Sequence, residues 1–141
     1  MYKKILVPTD ASDFSKRALK EAMKIAQLTN GEIELVHVVH TPASYWGYNL
    51  TYGLAASDES LKDVGQLALD LTLTDVNVEV PFQKKILSGN PVTEIIKEIE
   101  NGEFDLVVMG SHGHGFIAGS ILGSVSQKIL QQSTCPILII K

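Results

Sequence analysis

The 141-residue sequence predicts an α/β fold: a doubly wound, open, mostly parallel five-stranded sheet with helices on both faces, of the Rossmann-like kind. Three observations carry this. Segments rich in Val, Ile and Leu alternate with segments of helical period. Several of the former, notably ILV, LVHVV, DLVVM and PILII, are apolar on consecutive residues, so both of their faces need cover. Turn and cap residues punctuate the boundaries between them. Alternating β and α with two-sided burial is satisfied by a parallel sheet sandwiched between helices.

Taken in order, the strands are expected at Lys3–Val7, Glu32–Val39, Val76–Leu87, Asp105–Met109 and Pro136–Ile140. The first helix, Ser15–Leu28, gathers Ala18, Leu19, Ala22, Met23, Ile25 and Ala26 on one face, and Asn30-Gly31 closes it. Leu61–Leu71 behaves similarly after Ser57-x-x-Ser60. The third helix, Val92–Ile99, begins beside Pro91 and is expected to stop at Asn101-Gly102, and Val125–Leu130 forms the fourth. The longest unassigned piece, Thr41–Ala56, holds the only Trp and three of the four Tyr. Its length after a strand end suits a lid or partner surface, or else a connection whose aromatics pack on the sheet.

No linker, repeat or low-complexity tract divides the chain, so residues 1–141 are read as a single domain. A formal charge of -4 and scattered basic residues argue against a nucleic-acid binder. The lone Cys135 precludes an internal disulfide and suits a reducing compartment. Its place before Pro136, at the start of an apolar strand, reads as a structural thiol. No apolar run is long enough for a membrane span, and Met1-Tyr2-Lys3-Lys4 leads directly into a strand, so the expected location is cytoplasmic.

Chemistry concentrates between residues 110 and 126, GSHGHGFIAGSILGSVS, where Gly110, Gly113, Gly123 and Ser124 make a Gly-x2-Gly-x9-Gly-Ser spacing. It joins a buried strand to a helix start, an arrangement that presents backbone N–H groups to phosphate. No Lys or Arg lies between Gly110 and Lys128, so amides and hydroxyls would do the holding. In open parallel sheets ligands bind beyond the carboxyl ends of strands where strand order reverses. The first strand ends in Pro8-Thr9-Asp10, which would face the glycine loop if the first and fourth strands were neighbours. Asp10 then has two readings, a carboxylate for a phosphate-bound metal ion or a cap for Ala11-Ser12-Asp13. Ser12, Asp13 and Ser15 read as helix-start residues. Ser124 and Ser126 either cap the last helix or join its N–H groups around phosphate. His112 and His114, with His37 and His40, raise a metal site, but no cysteine or glutamate is grouped with them. His37 itself reads as a satisfied core or edge histidine.

With these residues in view, the chain resembles the ATP-binding branch of the universal stress protein family. The resemblance covers its whole length, through KKILVPTDASDFSKRAL, LVHVV, SGNPVTEII, FDLVVMGSHGHG and LGSVSQKILQQSTCPILIIK. It implies strand order 3-2-1-4-5, a homodimer joined through strand 136–140, and ATP, or ADP or AMP, across the ends of the first and fourth strands. By position, Pro8, Thr9 and Val38 would line an adenine pocket with Met109 beside it. Asp10 would lie near ribose and phosphates and help hold Mg2+ or Mn2+, while Gly110 and Gly113 would border ribose and phosphate. Gly123, Ser124, Val125 and Ser126 would contact phosphate, and His112 would make a polar ribose or phosphate contact. One departure is that His114–Leu122 has no basic residue where many relatives place one.

The reading is thus a stress-response or regulatory module that binds adenine nucleotide and signals to a partner protein. Its rivals are a slow Mg- or Mn-dependent ATPase and a nucleotide-free interaction module. A phosphorelay receiver would need an aspartate after its third strand, where this chain has Leu87-Ser88-Gly89.

Overall fold

The computed structural model describes residues 1–41 and 58–141. Their elements are β1 (Lys4–Pro8), α1 (Asp13–Thr29), β2 (Glu32–His40), α2 (Asp58–Leu73), β3 (Phe82–Gly89), α3 (Pro91–Gly102), β4 (Leu106–Gly110), α4 (Ser124–Gln132) and β5 (Ile137–Ile140). All five strands are parallel, in the order β3-β2-β1-β4-β5. The expected lid or partner surface at Thr41–Ala56 lies outside the described residues from position 42 onward.

Two cores follow from the strand alternation. Ile5, Val7, Ile33, Leu35, Leu106 and Val108 point to one face, where Ala18, Leu19, Ala22 and Ala26 of α1 and Leu69 of α2 cover them. Leu6, Val36, Val38, Val107 and Met109 point to the other, beneath Ile95 and Ile99 of α3 and Ile129 of α4. β1 and β4 are central and buried on both faces, which accounts for their unbroken apolar sequences. Among the described residues no helix is long and apolar enough to cross a membrane.

The helix ends follow their local chemistry. Ser12 caps α1 by accepting from the Ser15 N–H, and Asn30 ends it in the left-handed region at φ 54°. Asn90 caps α3 through Thr93 N–H, with Pro91 in the first turn.

Two boundaries differ from expectation. β3 begins at Phe82, not Val76, because β2, its one partner among the described residues, offers Ile33 as the first paired residue and Pro81 has no N–H to donate. The apolar Val76 and Val80 instead pack against the α1–α2 core from an irregular approach. α3 runs to Gly102 and is terminated by Glu103 at φ 55°, one residue beyond the expected Asn101-Gly102 stop. Cys135 is half-buried, its thiol 3.4 Å from the Phe104 carbonyl, and burial first and Asp105 second push its pKa up, consistent with a structural thiol.

One position breaks the apolar pattern. Glu34 falls on the α3-facing side of β2, beside Glu98 of α3, which receives Lys85 Nζ on both oxygens at 2.9 and 3.0 Å. Burial, then the hydrogen bond and charge of Glu98, push Glu34 up to about 7, against the opposing pull of Lys85 and Lys4. Glu98 goes the other way: burial raises it, but hydrogen bonds with Glu34 and Lys85 outweigh that and hold it below its ordinary value. Folded Glu34 therefore keeps its proton over a range, from its ordinary 4.5 to about 7, in which the unfolded chain has released it. Its contribution to stability is full below that window and lost as pH rises through it. Glu34→Gln is expected to flatten this decline, stabilising the fold at about pH 8 by roughly 1 kcal/mol, a few degrees in Tm, with little change near about pH 5. Thermal denaturation of both proteins across the range checks it, and an unchanged pH profile would contradict it.

Candidate functional site

The order β3-β2-β1-β4-β5 makes the chain cross over in opposite directions from β1 and β4, which opens a crevice at their carboxyl ends. A cleft of about 260 Å³ lies there. The twelve residues expected around a nucleotide, Pro8, Thr9, Asp10, Val38, Met109, Gly110, His112, Gly113, Gly123, Ser124, Val125 and Ser126, all line it. Ser15, Val36, His37, Pro91, Ile95, His114 and Gly115 line it as well and were not among those twelve.

The β1 end is held by short-range chemistry. Thr9 continues the β1–β2 ladder by donating its N–H to the Val36 carbonyl at 2.8 Å. Its hydroxyl lies 3.0 Å from Ser15 Oγ and 2.7 Å from Thr72 Oγ1 of α2, and accepts from Ala11 N–H at 3.0 Å. Ala11 adopts φ 66°, a left-handed conformation that costs an alanine about 1–2 kcal/mol. The turn holds because Asp10 Oδ1 accepts from the next amide, Ser12 N–H, at 3.0 Å and from Ser15 Oγ at 3.2 Å.

The same carboxylate reaches across the crevice. Asp10 Oδ2 accepts from His114 N–H at 3.1 Å, and the Asp10 carbonyl accepts from His114 Nε2 at 2.6 Å. Gly113 is where the glycine loop passes closest, since a Cβ there would overlap Asp10 Oδ2. The turn reading of Asp10 is met through Ser12 and Ser15, and its second oxygen faces the glycine loop. His114 was visible only as half of an H-x-H pair, and nothing local marked it as the partner of Asp10.

His112 occupies the cleft wall, but its ring is already engaged. Nε2 donates to the Ser120 carbonyl at 3.1 Å, which leaves Nδ1 to accept from Ser111 Oγ at 2.9 Å. The ring also packs against Phe14 and Phe116, with centroids at 5.3 and 4.7 Å. It thus braces the 112–120 loop against α1. His37 meets its expectation as a satisfied histidine by donating Nδ1–H to the Thr9 carbonyl at 2.7 Å, and it lines the cleft as well. Among the described residues no group of three or more His, Cys, Asp or Glu is placed to hold a metal ion.

The start of α4 completes the cradle. Gly123 is its N-cap, donates to the Ser111 carbonyl at 2.7 Å and makes no side-chain cap bond. The amides of Ser124, Val125 and Ser126 precede the first intrahelical donor, since Gln127 N–H is the one that meets the Gly123 carbonyl. Ser126 Oγ donates inward, to the Ser111 carbonyl at 2.7 Å, so its amide and not its hydroxyl is free for an anion. Apolar Val38, Ile95 and Met109 form the opposite wall. A flat apolar wall beside an amide cradle can hold a ring system joined to a phosphate.

For a divalent cation the fit rests on Asp10 alone. Three donors occupy its two oxygens, leaving about one of some four lone-pair positions. Magnesium is commonly held by one or two carboxylates together with phosphates, so Asp10 suits a phosphate-borne ion and no free-standing metal centre.

Gly110 and Gly113 are expected to respond differently to substitution. A Cβ on Gly110 would stand 2.7 Å from Phe14 Cβ and 2.9 Å from its carbonyl carbon, backbone that cannot yield, so Gly110→Ala is expected to cost about 1–3 kcal/mol in urea denaturation. Gly113→Ala meets only a carboxylate tip, so it should cost less than about 1 kcal/mol while releasing His114 N–H to exchange with solvent. Equal losses of stability from the two changes would contradict this packing.

The model of the universal stress protein family matches residues 1–141. Universal stress protein MJ0531 of Methanocaldococcus jannaschii is 33% identical over 100% of this chain and 83% of its own length. The solved structure of MJ0577, from the same organism, superposes with a TM-score of 0.75 at 31% identity, covering 100% of this chain and 96% of that one. A universal stress protein family structure from Arabidopsis thaliana, with AMP bound, shares the fold at a TM-score of 0.64 and 24% identity, covering 99% of this chain and 91% of its own.

Proposed function

The chain belongs to the universal stress protein family, and from that premise we propose that it is a cytoplasmic regulatory protein that binds an adenine nucleotide, ATP, ADP or AMP, and signals its occupancy to a protein partner. The observation that carries this reading is the meeting, in one cleft, of an apolar wall with three free amides at the start of α4.

In this reading the base lies against Pro8, Thr9, Val38 and Met109. Ribose and the first phosphate run past Asp10, Gly110 and Gly113 to the amides of Ser124, Val125 and Ser126, with Gly123 admitting them closely. A bound Mg2+ or Mn2+ would offset phosphate charge beside Asp10. His112 acts by bracing the loop, because both of its ring nitrogens are engaged within it. Holding the nucleotide is favoured over rapid turnover. The Asp10 carboxylate is occupied by three donors, and among the described residues no lysine lines the cleft to stabilise a transferring phosphoryl group.

β5 supports the proposed homodimer. It pairs with β4 on one side only, and Leu138 remains 38% exposed. Leu138→Asp is expected to shift the protein from dimer to monomer in sedimentation velocity, and a monomeric wild type would remove the dimer from the proposal.

Calorimetry of the purified protein with AMP, ADP and MgATP tests the nucleotide reading. Saturable binding that Gly123→Val weakens by about tenfold or more is expected, since a side chain there meets the His112 backbone at 3.3 Å at the cradle's mouth. No saturable heat with any of the three would favour the nucleotide-free interaction module. Phosphate release that disappears in Asp10→Ala would favour the slow ATPase.

A further inference from the structure

The cleft has donors for phosphate but no fixed positive charge. Among the described residues that line it none is Lys or Arg, and residues 42–57 contain neither. Arg17, at the start of α1, is committed elsewhere: Nε donates to the Lys141 carbonyl at 3.1 Å and the guanidinium lies 4.8 Å from the Phe14 ring centre. Among the described residues that line the cleft, Asp10 is the one carboxylate.

Its free side-chain donors are also few. The hydroxyl hydrogen of Ser126 is used on Ser111, and the Nε2 hydrogens of His112 and His114 are used on Ser120 and Asp10. What remains at the α4 start is the amides of Ser124, Val125 and Ser126 with the Ser124 hydroxyl, a convergent set of the size one phosphate group requires. Each further phosphate adds negative charge to the cleft that Asp10 lines, with no lysine or arginine among its described lining residues to offset it. At the effective dielectric of a protein surface, such a repulsion lowers affinity by roughly tenfold or more.

We infer that the cleft selects nucleotides by charge: an adenine nucleotide with a single phosphate binds unaided, whereas a di- or triphosphate binds only with a divalent cation bridging it to Asp10. This rests on the adenine-nucleotide reading and adds to it the state of the ligand. Asp10 serves as the discriminating residue. The carboxylate that ties the turn to the glycine loop also excludes bare polyphosphate.

Calorimetry at about pH 8, where an unperturbed histidine is neutral, with AMP and ATP in EDTA and again in MgCl2, tests it. In EDTA, AMP is expected to bind about tenfold or more tightly than ATP, and Mg2+ to raise ATP affinity by at least about tenfold while leaving AMP within about twofold. Asp10→Asn should remove the Mg2+ requirement. Gly115→Lys provides a second route that leaves the Asp10 network intact. Gly115 lines the cleft, and a side chain there meets nothing within 4 Å, so the added cation should raise metal-free ATP affinity by about tenfold. Equal binding of ATP and AMP in EDTA, indifference of ATP to Mg2+, or no gain in Gly115→Lys overturns the charge inference and leaves nucleotide binding standing. Absence of binding by adenosine, AMP and MgATP alike overturns the nucleotide reading beneath it.

Discussion

Asp10 joins parts of the chain that sequence separates by 104 residues: its carboxylate accepts from Ser12 and Ser15 on one side of the crevice and from His114 on the other. Much of the site depends on this one group. It stabilises the turn in which Ala11 takes a left-handed conformation, sets where α1 begins, and fixes how near the glycine loop can approach β1. The close approach at Gly113 follows directly, because any side chain there would displace the carboxylate from its bond to His114 N–H. The negative charge of the cleft comes from the same atom pair.

That bridge is possible because β1 and β4 are neighbours, and they are neighbours because both must be buried on two faces. β1 and β4, buried along almost their whole length, hold central places in the sheet, whereas the equally apolar β5 lies at its edge with Leu138 exposed. The crossovers then leave in opposite directions, and the two strand ends that carry polar residues meet over the gap. Burial thus brings the site together, while hydrogen bonds hold its detail. The aromatic contacts of Phe14, His112 and Phe116 and the bonds of His112 to Ser111 and Ser120 add a second anchorage for the loop.

The Glu34–Glu98–Lys85 group lies on the α3 side of the sheet. Here a carboxyl occupies a strand position that the alternation reserves for an apolar side chain, and the cost appears as a raised proton affinity. Glu98 takes the lysine, so Glu34 is left with the proton. The pattern of apolar residues around Glu34 had no means of announcing this, since the partners come from β3 and α3.

By itself the sequence determined the element types, the parallel sheet, the two-sided burial of ILV and DLVVM, and the helix ends at Ser12, Asn30 and Pro91. It also placed most of the candidate cleft residues between Gly110 and Ser126. These are local properties, written in the period of apolar residues and in the capping preferences of Ser, Asn, Pro and Gly. Only the tertiary structure decided that β3 waits until Phe82, because a strand starts where its neighbour can pair with it. It also brought His37 of β2, Pro91 and Ile95 of α3, and His114 of the glycine loop to the cleft from three separate segments. For His112, sequence suggested a ligand contact, and the fold supplied nearer partners in Ser111 and Ser120. For Asp10, sequence left cap and cleft residue as alternatives. The fold made them one role, because a carboxylate has acceptor positions enough for both sides of a crevice that only sheet order creates.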